Sequence, residues 1–174
     1  MKFFTACFFL LFATLAGASE YPSALQEESD FETLSQEMKQ KSLGLVLMFH
    51  AAHCPYCALM ENEILSPMVK SGDYDDKVII RKLQIDEARD VKDFDGKIVE
   101  PSDISDRYGA TLTPTLVFLD ANGNEKAKKM IGINTVELFG AYLDDNIDVL
   151  LQNMKTKMVQ QNNSITPATK TATD

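Results

Sequence analysis

Leu45-Val46-Leu47-Met48-Phe49-His50-Ala51-Ala52-His53-Cys54-Pro55-Tyr56-Cys57 sets an apolar run directly against a pair of cysteines. Leu45 to Phe49 is too short and too continuously apolar for a surface helix, so it predicts a strand buried on both faces. Ala58 to Leu65 then returns to good helix formers, among them Leu59, Met60 and Glu63. The cysteine pair therefore sits where a buried strand hands over to a helix.

Working outward, Ser29-Asp30-Phe31-Glu32 carries Ser three residues before Glu, a capping box for a helix running through Leu34 and Met38. Lys77 to Asp86 reads as a second strand, and 87–101 as a polar insertion loop. Pro101 to Tyr108 predicts a short helix stopped by Gly109, since proline is tolerated in a first helical turn. Thr115 to Leu119 is a third strand. The Asn122-Gly123 turn sends Glu125 to Ile131 back as an edge strand carrying lysines. Asn134-Thr135-Val136-Glu137 opens a last helix whose apolar side is assigned to Leu138, Tyr142, Ile147, Leu150 and Met154. Early strands joined through a helix pair in parallel and the late hairpin is antiparallel. The fold class is α/β, with a central mixed sheet flanked by helices.

The ends differ from the middle. Lys2, the apolar run Phe3 to Leu15 and Ala16-Gly17-Ala18 make up the three parts of a secretory signal peptide over residues 1–18. That run is short of the roughly 20 residues a membrane span needs. Residues 19–28 are expected to form a linker and 29–159 one domain. Residues 160–174 are expected to be a disordered tail, too poor in apolar side chains to offset the entropy of ordering. The 174 residues carry 17 basic and 26 acidic side chains, a net charge of −9. With no basic cluster there is no electrostatic case for nucleic acid or for an anionic membrane surface. Export is expected to deliver the chain to the periplasm as a monomer without a cofactor.

Of the three cysteines, Cys7 leaves with the leader. Cys54 and Cys57 then remain, and their spacing closes a disulfide when a helix starts at the first. The helix start favours thiolate over thiol, lowering a cysteine pKa from about 8.5 into the range of roughly 3.5–7.5. Cys54 is thus expected to be the nucleophile and Cys57 the resolving thiol. Pro55 suits the first helical turn. Two other readings of the pair remain open: a zinc site completed by His50 and His53, and a structural disulfide, which so short a loop would stabilise little. His53 either supports the Cys54 thiolate or is an exposed loop residue. His50 reads as a packing residue at the strand end, and Tyr56 as part of the surface a partner touches. In Thr111-Leu112-Thr113-Pro114-Thr115 a proline opens a strand, where it cannot donate to the ladder. It is either an ordinary trans edge proline or a cis one that exposes the Thr113 backbone to a substrate strand.

Cys-Pro-Tyr-Cys, the strand before it and Thr113-Pro114-Thr115 running into an apolar strand resemble the thioredoxin superfamily. Lys82-Leu83-Gln84-Ile85-Asp86 is similar to that superfamily's strand ending in Asp. Val91 to Gly96, leading through Pro101 to Tyr108-Gly109, is similar to the SoxW-type periplasmic thioredoxins. The resemblance spans about Phe31 to Leu151. It implies a thioredoxin fold, a cis Pro114 facing the dithiol, and Cys54 as the attacking thiol. It also implies electrons received from a membrane thiol-reductase of the DsbD or CcdA kind and passed to exported protein disulfides, with oxidase or isomerase action as the alternative direction. The chain departs from Trp-Cys-Gly-Pro-Cys: His53 precedes the pair and Pro55-Tyr56 lies within it. Met48 occupies the position of the usual buried acid. Either Glu61, one turn past Cys57, or water is expected to substitute, and Lys82 remains where the family carries a lysine near that acid.

Overall fold

The structure, a computed structural model, describes residues 24–133 and 135–165. The expected leader, the first half of the expected linker, the Asn134 cap and residues 166–174 lie outside them.

In chain order the elements are β1 (Gln26–Glu27), α1 (Phe31–Lys41), β2 (Gly44–His50), α2 (Pro55–Met60), a π turn (Glu61–Leu65), α3 (Ser66–Ser71), β3 (Val78–Gln84), β4 (Val91–Lys92), β5 (Ile98–Val99), α4 (Pro101–Arg107), β6 (Thr115–Leu119), β7 (Met130–Ile131) and α5 (Val136–Ile165). Five strands form one sheet in the order β1-β3-β2-β6-β7. β2 lies at its centre, parallel to β3 with Leu47 opposite Arg81, and antiparallel to β6 with Leu47 opposite Val117.

Because side chains alternate along a strand, β2 feeds two cores. Leu45, Leu47 and Phe49 pack with Phe31, Leu34 and Met38 of α1 and Ile104 of α4. Val46 and Met48 pack on the other face with Met60, Ile64 and Leu65, and with Phe139, Leu143, Ile147 and Leu150 of α5. Both faces are covered, as a continuously apolar central strand requires. Among the described residues no helix is long and apolar enough to cross a membrane.

Several boundaries differ from the sequence reading, each for a local reason. Asp30, not Ser29, caps α1: its carboxylate accepts the Thr33 amide at 2.9 Å. Gln26 and Glu27, expected within a linker, form an edge strand parallel to β3, and Leu25 beside them is buried. The helical run after the cysteines continues past Leu65 to Ser71 by way of the π turn. Pro67 explains that turn. Its ring would collide with the carbonyl four residues back, and the wider turn, with the Ser66 amide donating to the Glu61 carbonyl, absorbs the mismatch.

The insertion is also more ordered than its polarity suggested. It holds the β4–β5 hairpin, and Asp93 within it accepts Arg107 at 2.9 and 2.5 Å. Of Glu125 to Ile131, only Met130–Ile131 pair as a strand, apart from an isolated bridge at Glu125. Lys126 is drawn to Asp120 at 3.1 Å and Lys129 to the Tyr108 carbonyl, which pulls the intervening backbone off the ladder. On α5 Ile147, Leu150 and Met154 pack on the core as expected, but the first turns differ by one residue. Phe139 and Leu143 face the core, while Leu138 and Tyr142 are exposed. The helix itself runs through Ile165, into the segment expected to be a tail.

Candidate active site

β2 ends at His50, at the carboxyl end of the central strand, and the next four residues turn the chain into α2. Asp86, just beyond β3, receives the Ala52 amide with both carboxylate oxygens at 3.0 Å. That backbone hydrogen bond holds the Asp86 carboxyl below the usual carboxylate range. His53 follows with a φ of 55°, in the left-handed region that histidine tolerates better than most residues. The turn sets Cys54 as the residue capping α2, with Pro55 at the first helical position.

Cys54 and Cys57 are joined in a disulfide. The Cys57 amide points at the Cys54 sulfur at 3.2 Å, and the Cys54 carbonyl accepts the Cys57 and Ala58 amides at 3.1 Å. A sulfur in this position meets the unpaired N–H groups of a helix start, which favour negative charge on it. Cys54 is half-buried, whereas Cys57, within the first turn of α2, is only 4% exposed. A partner can reach the first sulfur and not the second. Tyr56, 62% exposed, stands beside the opening.

From the other side comes the loop before β6. The Thr113–Pro114 bond is cis. The Thr113 hydroxyl points at the Cys54 sulfur at 3.6 Å, and the Thr115 hydroxyl closes the loop onto the Leu112 carbonyl at 2.7 Å. The two stretches singled out in the sequence, 59 residues apart, thus meet at one sulfur.

A groove of about 560 Å³ runs along the inner side of the pair and is lined by His50, His53, both cysteines, Glu61 and Gln84, among others. Met48 is fully buried below it and pairs in register with Lys82. The Lys82 ammonium instead meets Glu61, at 2.8 and 2.9 Å. An acid is therefore present beside the dithiol, supplied by the π turn rather than by β2. His50 does more than pack: its Nε2 meets both Glu27 oxygens, at 2.9 and 3.2 Å. Burial pushes the Glu27 carboxyl up, but the hydrogen bond and charge of His50 and the Gln84 amide at 2.5 Å hold it below its ordinary value. Glu27 was missed because it stands in a stretch that reads as linker; no periodicity marks a two-residue strand. Among the described residues no group of three His, Cys, Asp or Glu side chains is placed to hold a metal ion.

The model of the thioredoxin-like domain matches residues 31–147, most of the chain. The chain belongs to the thioredoxin-like domain family. Solved structures similar to this thioredoxin-like chain include mitochondrial thioredoxin 3 of Saccharomyces cerevisiae in its oxidised form, at 23% identity, covering 72% of this chain and 94% of that one with a TM-score of 0.48. An uncharacterised thioredoxin-like protein of Clostridium perfringens is 23% identical, with 76% and 90% covered and a TM-score of 0.47. A thioredoxin of Malassezia sympodialis is 21% identical, with 71% and 90% covered and a TM-score of 0.49. No curated protein matches the chain. As a member of this family carrying a Cys-x-x-Cys disulfide at the start of a helix, the protein is a thioredoxin-like oxidoreductase.

Proposed function

We propose that this oxidoreductase is an exported dithiol reductase that acts on disulfides of periplasmic proteins. The observation that carries the exchange chemistry is the asymmetry of the pair: Cys54 is half-buried at the mouth of α2 and Cys57 is buried behind it. In the reduced protein the Cys54 thiolate attacks a client disulfide, forming a mixed disulfide and releasing one client thiolate. Cys57 then loses its proton and attacks the Cys54 sulfur. The second client thiolate leaves and Cys54–Cys57 closes. Thr113 and Pro114 flank the attacked sulfur and offer backbone to the client strand, with Tyr56 completing the contact surface. His53 and Pro55 shape the helix mouth, and the Glu61–Lys82 pair sets the charge beside the groove.

Export is supported by the leader-like residues 1–18. The reducing direction is supported by the resemblance of the inserted segment to SoxW-type thioredoxins, and it requires a membrane thiol-reductase of the DsbD or CcdA kind as donor. Acid quenching of intact cells followed by a gel-shift thiol reagent tests this reading. The pair is expected mostly reduced in wild-type cells and oxidised once the membrane reductase is deleted. A pair that is oxidised in wild-type cells and indifferent to that deletion makes the protein an oxidase.

A further inference from the structure

We infer that His50, held by Glu27, is the proton acceptor that activates Cys57, an assignment that rests on the dithiol reading above. The resolving thiol is buried, so its proton needs an acceptor that is itself in the groove. Three groups there besides the cysteines exchange protons: His50, His53 and Glu61. Both Glu61 oxygens are already engaged by the Lys82 ammonium, at 2.8 and 2.9 Å. His53 is exposed on the outer turn, before the helix. His50 is the third. It follows Val46 and Met48 on the face of β2 that α2 covers, so its ring emerges beneath the helix start that carries the pair.

The Glu27 contact gives that ring a defined state. A carboxylate on Nε2 accepts its N–H, so the neutral tautomer carries its proton on Nε2 and leaves Nδ1 as the acceptor. The same contact keeps the ring in place as the proton arrives. Glu27 is the positioning residue of the pair, and Gln84 fixes it in turn through a backbone amide. Cys57 gives its proton to His50, directly or through one water in the groove, and attacks the Cys54 sulfur. The imidazolium later returns the proton to the departing client thiolate or to solvent. Other charges facing the ring are Glu61 and Lys82 across the groove, and Asp86 beyond β3, whose carboxylate interacts with His50. His53 and the two cysteines face it from the loop and α2.

A nitroaryl disulfide whose thiolate is coloured separates the two steps in a stopped-flow trace of the reduced, full-length mature protein. The first phase is attack by Cys54; the second is release by Cys57. His50→Gln is expected to slow the second phase by roughly tenfold or more and leave the first nearly unchanged, since positioned bases contribute on the order of 100-fold or more and groove water recovers part of it. Glu27→Ala, which frees the ring from its carboxylate, is expected to slow the second phase and leave the first nearly unchanged, with Glu27→Asp recovering part of the loss. Equal slowing of both phases in His50→Gln and in His50→Phe would mean a structural role and overturns the relay. So does a second phase unchanged by Glu27→Ala, or one sensitive to Glu61→Gln and not to His50→Gln. If the wild type gives no second phase at all, it is the dithiol reading itself that fails.

Discussion

Asp86 holds the backbone amide of Ala52 with both carboxylate oxygens at 3.0 Å, across 34 residues of chain. Its side chain reaches from the end of β3 to the turn between β2 and the cysteines. The hydrogen bond lowers the Asp86 pKa, so its contribution is present above the unfolded aspartate value and is lost as pH falls through the lower, folded one. The Ala52 amide resonance is therefore expected to titrate in acid below the ordinary aspartate range. In Asp86→Asn that titration is expected to vanish, with faster hydrogen exchange at Ala52.

The accessibility of the two sulfurs predicts a division of labour. Cys54→Ser abolishes exchange. Cys57→Ser still attacks and stops as a mixed disulfide, which mass spectrometry identifies. In the reduced wild type, iodoacetamide at neutral pH alkylates Cys54 first; faster modification of Cys57 reverses the assignment.

Lys82 and Glu61 are both mostly shielded from water, with side chains 15% and 13% exposed. Removing Lys82 takes the ammonium away from the Glu61 carboxylate. Lys82→Met is expected to destabilise the fold by about 3 kcal/mol in urea unfolding. The double variant with Glu61→Met is expected to recover most of that loss, because a buried pair is worth little against apolar side chains of similar volume.

Gly123 has a φ of 75°, and a Cβ there would lie 2.9 Å from Phe94 and 3.1 Å from the Tyr108 hydroxyl. Gly123→Ala is expected to cost about 2 kcal/mol, read as a lower thermal midpoint. The loss combines backbone strain with the displaced insertion, since Phe94 packs at 5.1 Å from Phe31.

The Tyr74 hydroxyl donates to Asp144 at 2.6 Å, which pushes its pKa up to about 12. The phenol is neutral below that value and the bond is lost as pH rises through it. Alkaline absorbance titration of Asp144→Asn is expected to show one tyrosine moving back toward 10.

Long apolar runs and turn residues carried most of the fold. β2 and β6 could be read because a strand covered on both faces has no polar position to disguise it, and Pro101 and Gly109 bracket α4. Cys54, Cys57 and Pro114 stood out for the same reason, each being a residue type with few uses at its position. What stayed hidden depends on distant partners. The two residues of β1 owe their conformation to β3, and the hairpin around Phe94 owes its order to Arg107 and Phe31. Glu27 and Asp86 act through partners 23 and 34 residues away, and no local pattern announces such a contact. The phase error on α5 has a different origin: Leu138 and Phe139 are neighbours, both apolar, and only packing against the sheet decides between them.

The placement of β2 in the middle of the sheet also governs when this protein can fold. Its two neighbours, β3 and β6, both follow it in the chain, and Phe49 waits for Leu83 on one side and Thr115 on the other. A chain appearing amino end first therefore presents the cysteine pair long before the strands that will bury Cys57 and bring Thr113 to Cys54. Over that interval nothing in the fold yet distinguishes the two thiols. The inequality between Cys54 and Cys57 is a property of the finished sheet, acquired only when β6 has docked.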